Sequence, residues 1–118
     1  MANDFKRICT PSIGTSLTTI YAVPAGPSSA ALESIVIGIT MANKTTAGVT
    51  ASIFIDNEDG SNDVYIVKDA TIPAGSALEV MSGNKLVLMN DGSNADNLEA
   101  LCSSGSALDV TVSVLEDV

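Results

Sequence analysis

The segment ALDVTVSVL, residues 107–115, limits what this chain can fold into more than any other stretch. Leu108, Val110, Val112 and Val114 alternate strictly with Asp109, Thr111 and Ser113. A period of two puts the aliphatic side chains on one face of an extended strand and the polar ones on the other. Such a strand is stable only when a second layer covers its apolar face. The rest of the chain repeats the theme. Residues 17–23 (LTTIYAV) are rich in β-branched and aromatic types and stop at Pro24-Ala25-Gly26. Residues 49–56 (VTASIFID) set Val49, Ala51, Ile53 and Ile55 against Thr50, Ser52, Phe54 and Asp56. Residues 32–41 (LESIVIGITM) put Ile35, Ile37 and Ile39 on one face and Val36 and Met41 on the other, which predicts a strand covered on both sides.

Further strands are expected at 64–68, 98–102, and at 78–81 and 85–89. The last two read as a hairpin closed by Ser82-Gly83-Asn84. No segment carries a helical period of useful length. Three isoleucines, a valine and a glycine in 32–41 favour strand there too. About eight short strands with turn signals between them predict an all-β fold, an antiparallel β-sandwich or jelly roll without substantial helix. A weak internal echo, VPAG with IPAG and GSALEV with GSALDV, is read as recurrent turn-into-strand chemistry.

At 118 residues the chain is one domain in size. Residues 1–16 are expected to form an N-terminal arm or edge strand, and 17–118 a single sandwich. Aromatics are only 3%, with no Trp, so Val, Ile, Leu, Ala and Met must build the core. Charged residues are 16%, against roughly 25% in ordinary soluble domains, which points to apolar surface meeting another chain. Fourteen acids against five bases give a net charge of −9. No basic cluster exists to neutralise a phosphate backbone, and the same field repels anionic membranes, so neither nucleic acid nor membrane is an expected partner. No apolar run approaches the roughly 18 residues that span a bilayer. The N-terminal MANDFKRICTPSIG has no apolar signal core, so synthesis and use in a cytoplasm, or in a particle assembled there, is expected.

The parts for catalysis are missing. There is no histidine, which removes Ser-His and Cys-His nucleophile pairs and the commonest metal ligand. Cys9 and Cys102 fit no metal spacing, and in a reducing compartment they are expected as free thiols. No glycine-rich phosphate loop opens a helix. The chain is therefore expected not to be an enzyme and to need no cofactor. One loop, DNEDGSND, is rich in oxygen ligands: Asp56, Glu58, Asp59 and Asp63 form a candidate calcium site, against the commoner reading of a solvated turn. Phe5, Lys6, Arg7 and Ile8 form a candidate partner-binding segment, and deletion of residues 1–12 is expected to leave a folded sandwich that no longer binds.

The segment VYIVKDATIPAGSALEVMSGNKLVL (64–88), with TTIYAVPAG upstream and LDVTVSVLE at the end, resembles small structural proteins of tailed bacteriophages, notably those of cyanobacteria. The likeness spans residues 18–116. It implies a non-enzymatic virion component used in many copies, most simply a capsid decoration (cement) protein bound to the major capsid protein. A subunit of the neck, tail or fibre is the alternative implied. Trimers at symmetry axes, and a location in the virion after assembly in the host cytoplasm, follow from the same resemblance.

Overall fold

The structure, a computed structural model, describes residues 3–26, 28, 30–56, 63–81 and 85–117. Among them are nine strands: β1 (Asn3–Ile13), β2 (Thr18–Ala22), β3 (Leu32–Asn43), β4 (Val49–Asp56), β5 (Asp63–Ile72), β6 (Ala77–Glu79), β7 (Leu86–Asn90), β8 (Asn97–Cys102) and β9 (Leu108–Asp117). All pairings are antiparallel. β9 lies between β1 and β3, and β3 carries both β6 and β7 on its far side. The second sheet has the order β2-β8-β4-β5. Strands from the two ends of the chain thus pair in each sheet, the interleaving of a jelly roll. The chain is an all-β, antiparallel β-sandwich.

The alternation in β9 is realised along its length. Leu108, Val110, Val112 and Val114 are buried, and Asp109, Thr111 and Ser113 lie on the outer face. Ile53, Leu98, Ala100 and Cys102 from the other sheet belong to the same core, in which Tyr21 is the one aromatic. Each fully buried aliphatic contributes roughly 1.5–3 kcal/mol. Phe54 is also buried but lies on the opposite face of β4, under Tyr65, with ring centroids 5.5 Å apart and planes tilted by 54°. The Lys68 ammonium sits 5.3 Å from the Tyr65 ring centre, so a cation closes that small stack.

Two expectations about strands are corrected. The alternation in β3 does not run straight through, because the register with β9 shifts between Val36 and Gly38. This bulge turns Ile39 inward with Val36 and Met41, and leaves Ile37 outside with Ile35. Nor do residues 78–81 and 85–89 form a hairpin. β6 pairs with Thr40–Ala42 of β3 and β7 with Leu32–Val36, both antiparallel to it. They are two halves of one interrupted edge, aligned separately on residues 40–42 and 32–36 of β3. Ser82, Gly83 and Asn84 lie outside the described residues.

Two buried asparagines fix the loops. Asn43 closes β3; its Nδ2 donates to the carbonyls of Ala47 (2.9 Å), Ile72 (3.0 Å) and Pro73 (3.3 Å). Its Oδ1 accepts the Thr45 N–H (2.9 Å) and hydroxyl (2.7 Å). Asn90 does the same at the opposite end, donating to the Val23 carbonyl and accepting the Gly92 N–H. Backbone polar groups in these turns find partners that the strands cannot supply. Gly14 lies where β1 passes the turn before β9: a Cβ there would come within 3.0 Å of Ser106 N and 3.2 Å of Gly105 Cα.

Candidate interaction surfaces

The outer face of the five-stranded sheet carries an apolar band. Register places Phe5 opposite Leu115, Leu115 opposite Ile35, and Ile35 opposite Val87, a single row across β1, β9, β3 and β7. Phe5 is 74% exposed and Val87 56% exposed, with Ile35 and Leu115 half-buried between them. Met89 and Ile37, both exposed, flank the row. Single exposed apolar side chains are normal on a soluble domain, but a row of four in register with two more beside it is not. The band arises because β7 carries Val87 and Met89, and β3 carries Ile35 and Ile37, on the outer face; Glu33, opposite Met89, is the charged residue at its rim. Towards the other end of the sheet the outer face turns polar at Thr40, Thr111 and Ser113.

On the inner side of the same sheet, the β9 alternation continues past Val114 to Glu116, which is only 2% exposed. The Tyr21 hydroxyl donates to Glu116 Oε2 (2.5 Å) and lies 2.8 Å from the Ser34 hydroxyl. Lys6 Nζ lies 2.9 Å from Glu116 Oε1, an ion pair by distance without a well-directed hydrogen bond. Burial pushes the Tyr21 phenol up from its ordinary 10.0, and its bond to Glu116 adds to that; the Ser34 bond opposes it. The close approach and negative charge of the Glu116 carboxylate hold the Lys6 ammonium above its ordinary 10.5. Lys6, Tyr21 and Glu116 line a groove of about 370 Å³ where β1 and β2 meet, walled also by Ile8, Thr10, Ile20 and Pro24. Chemically this is a neutralised seam: the carboxylate is already engaged by a phenol and an ammonium.

The structure divides the four residues of the candidate segment. Phe5 and Arg7 face outward, on the side of the apolar band; Lys6 and Ile8 face inward, to Glu116 and to the core. An arm that orders only against a partner is not what residues 3–13 form, because they pair with β9 along their length. Deleting residues 1–12 would remove nearly all of the edge strand that covers β9. Of the candidate calcium ligands, Asp56 and Asp63 stand opposite each other at the ends of β4 and β5, while Glu58 and Asp59 lie outside the described residues. Among the described residues no three His, Cys, Asp or Glu side chains gather as a metal site. Both thiols are free, Cys102 in the core and Cys9 exposed on the outer face. No described helix is long and apolar enough to cross a membrane. The Tyr21–Glu116 pair is absent from the sequence reading. The run Leu108, Val110, Val112, Val114 predicts that position 116 points inward, but its charge argues against burial.

Fold and surfaces together define a jelly-roll β-sandwich with an apolar outer sheet face. No family model and no curated protein matches the chain. Among solved structures, a chain from Bacillus endospore appendages, described as a novel family of disulfide-linked pili, aligns at 13% identity over 97% of this chain and 86% of that one, with a TM-score of 0.43. A chain of infectious bursal disease virus, Gt strain, aligns at 12% identity over 96% of this chain and 30% of that one, with a TM-score of 0.47. The present chain thus spans under a third of the viral one. At these scores neither alignment carries a functional argument.

Proposed function

We propose that this protein is a non-enzymatic structural component of a tailed-phage virion that decorates the assembled head lattice. The observation that carries this reading is the apolar row Phe5–Leu115–Ile35–Val87 on an open sheet face. An open apolar face suits a protein surface better than a small-molecule substrate, which is typically held in a concave pocket. The resemblance of residues 18–116 to small phage structural proteins supports the same assignment. A decoration protein that binds the assembled shell and not its free subunits stabilises the shell by mass action, and many identical weak contacts suffice. In this reading Phe5 and Arg7 touch the major capsid protein, while Lys6 and Ile8 hold β1 in place. The test is to mix the purified protein with expanded, undecorated phage capsids and image them by electron microscopy. Regular added density on the lattice supports decoration. Bare capsids with density on purified necks or tails move the protein there, and binding to neither refutes a virion role.

A further inference from the structure

Of the strands at the sheet edges, β1 alone presents a long, regular and unoccupied side. Among the described residues only β9 pairs with it, in unbroken register from Asn3 to Thr10. The other edges are blunted. β2 is five residues long with a register shift, and β5 shifts twice against β4. β6 and β7 are interrupted, and on β7 both backbone groups of Met89 are taken up by Asp96. An edge left open in this way is a template for another strand. Its inward Lys6 makes it selective, because an apolar strand added beside it would leave the ammonium facing aliphatic side chains.

We propose that the strand it accepts is β1 of a second copy, paired antiparallel about a two-fold axis at Phe5. Side-chain alternation and charge choose this register. Opposed residues must share a face, so the axis falls at a residue that meets itself. At Asp4, Lys6 or Arg7 it sets like charges directly opposite each other, which is unfavourable. At Ile8 it brings Pro11 and Ser12 into the ladder, where Pro11 has no N–H to give and Ser12 has a φ of 57°. At Phe5 it brings Asp4 opposite Lys6 of the second copy, twice by symmetry, and Phe5 against Phe5. Lys6 has three donors, so it can meet both its own Glu116 and the incoming carboxylate. The two five-stranded sheets become one continuous sheet. The apolar row then runs unbroken through the axis into its copy, which makes the pair a broader docking plate than one chain. This interface goes beyond the decoration role and stands whether or not the protein binds a capsid.

The experiment uses the full chain in sedimentation equilibrium at about 100 µM, where a Kd of that order still leaves much of the chain paired. The wild type is expected to fit a monomer–dimer equilibrium, with a dimer of twice the 12.0 kDa chain mass. Asp4→Lys is expected to be monomeric with unchanged circular dichroism, since Asp4 is exposed. That substitution lowers the net negative charge, so general repulsion cannot explain a loss of pairing. In a Cys9→Ser background, Phe5→Cys is expected to give a disulfide-linked dimer on mild oxidation, and Arg7→Cys is not. A monomeric wild type overturns the proposal. So does a dimer that survives D4K and does not cross-link through position 5.

Discussion

Asn43→Ala removes a side chain that ties two turns to the end of β3. In the wild type its Nδ2 serves the carbonyls of Ala47, Ile72 and Pro73, and its Oδ1 serves Thr45. The substitution strands these groups unequally. Ala47 and Pro73 are exposed, so water can replace the lost donor there. Ile72 is 1% exposed, and its carbonyl has the least access to a substitute. One buried carbonyl without a partner costs about 1–3 kcal/mol, and the loosened Thr45 turn adds about 0.5–1.5 kcal/mol. The sum is about 1.5–4.5 kcal/mol, a large share of the stability of a domain this size. In urea titration the midpoint should fall with an unchanged slope, and Tm should drop by about 10 °C. Asn43→Asp sharpens the test. It keeps an acceptor for Thr45 but points a carboxylate oxygen at the Ile72 carbonyl, so it should be at least as damaging as alanine near neutral pH. Part of the loss should return in acid, where the protonated carboxyl can donate. An aspartate variant as stable as the wild type, or an alanine variant within about 0.5 kcal/mol of it, would refute the reasoning.

At the seam, Tyr21 and Lys6 both hold their protons to higher pH in the folded chain than in the unfolded one. Their contribution is therefore full below about pH 10 and is lost as pH rises, so thermal stability should fall on the alkaline side and Tyr21→Phe should flatten that fall. In Tyr65→Phe, where Tyr21 is the one remaining tyrosine, phenolate absorbance should appear only together with unfolding; a free titration near pH 10 would contradict the buried hydrogen bond. Gly14→Ala should destabilise by about 1–3 kcal/mol, because its Cβ meets backbone that must move. Gly105→Ala, with nothing within 4 Å of the added carbon, is the matched control and should be nearly neutral in the same denaturation assay.

The strands of this fold were legible wherever one face is buried and the other wet. β9 shows the alternation directly, while β4 keeps it in sequence although its other face is covered at Ser52 and Phe54, and the lack of a helical period fixed the fold class. What stayed hidden depends on events between strands. The bulge at Ile37 is a matter of register against β9, and LESIVIGITM looks the same with or without it. Leu78–Met81 followed by a glycine and another apolar run has the local chemistry of a hairpin, but both halves find a better partner in the long strand β3. The burial of Glu116 and Asn43 is not legible in the sequence, because polar residues ordinarily face solvent. Their burial is tolerable only through partners distant in the chain, such as Tyr21 and Ile72. The outer apolar band was half visible, as a shortage of charge without an address. Its location emerged only when register set Phe5, Leu115, Ile35 and Val87 side by side.

The division of one edge strand into β6 and β7 bears on how such a chain tolerates changes of length. Each half is aligned on β3 by its own ladder, so the register of one does not depend on how many residues separate it from the other. An insertion between residues 81 and 85 leaves both ladders on β3 in place, and the entropy of closing a longer connection grows only slowly with length. This edge is therefore where a related sequence can gain residues without losing the sandwich, and where a foreign peptide can be spliced in for display on whatever assembly the protein joins.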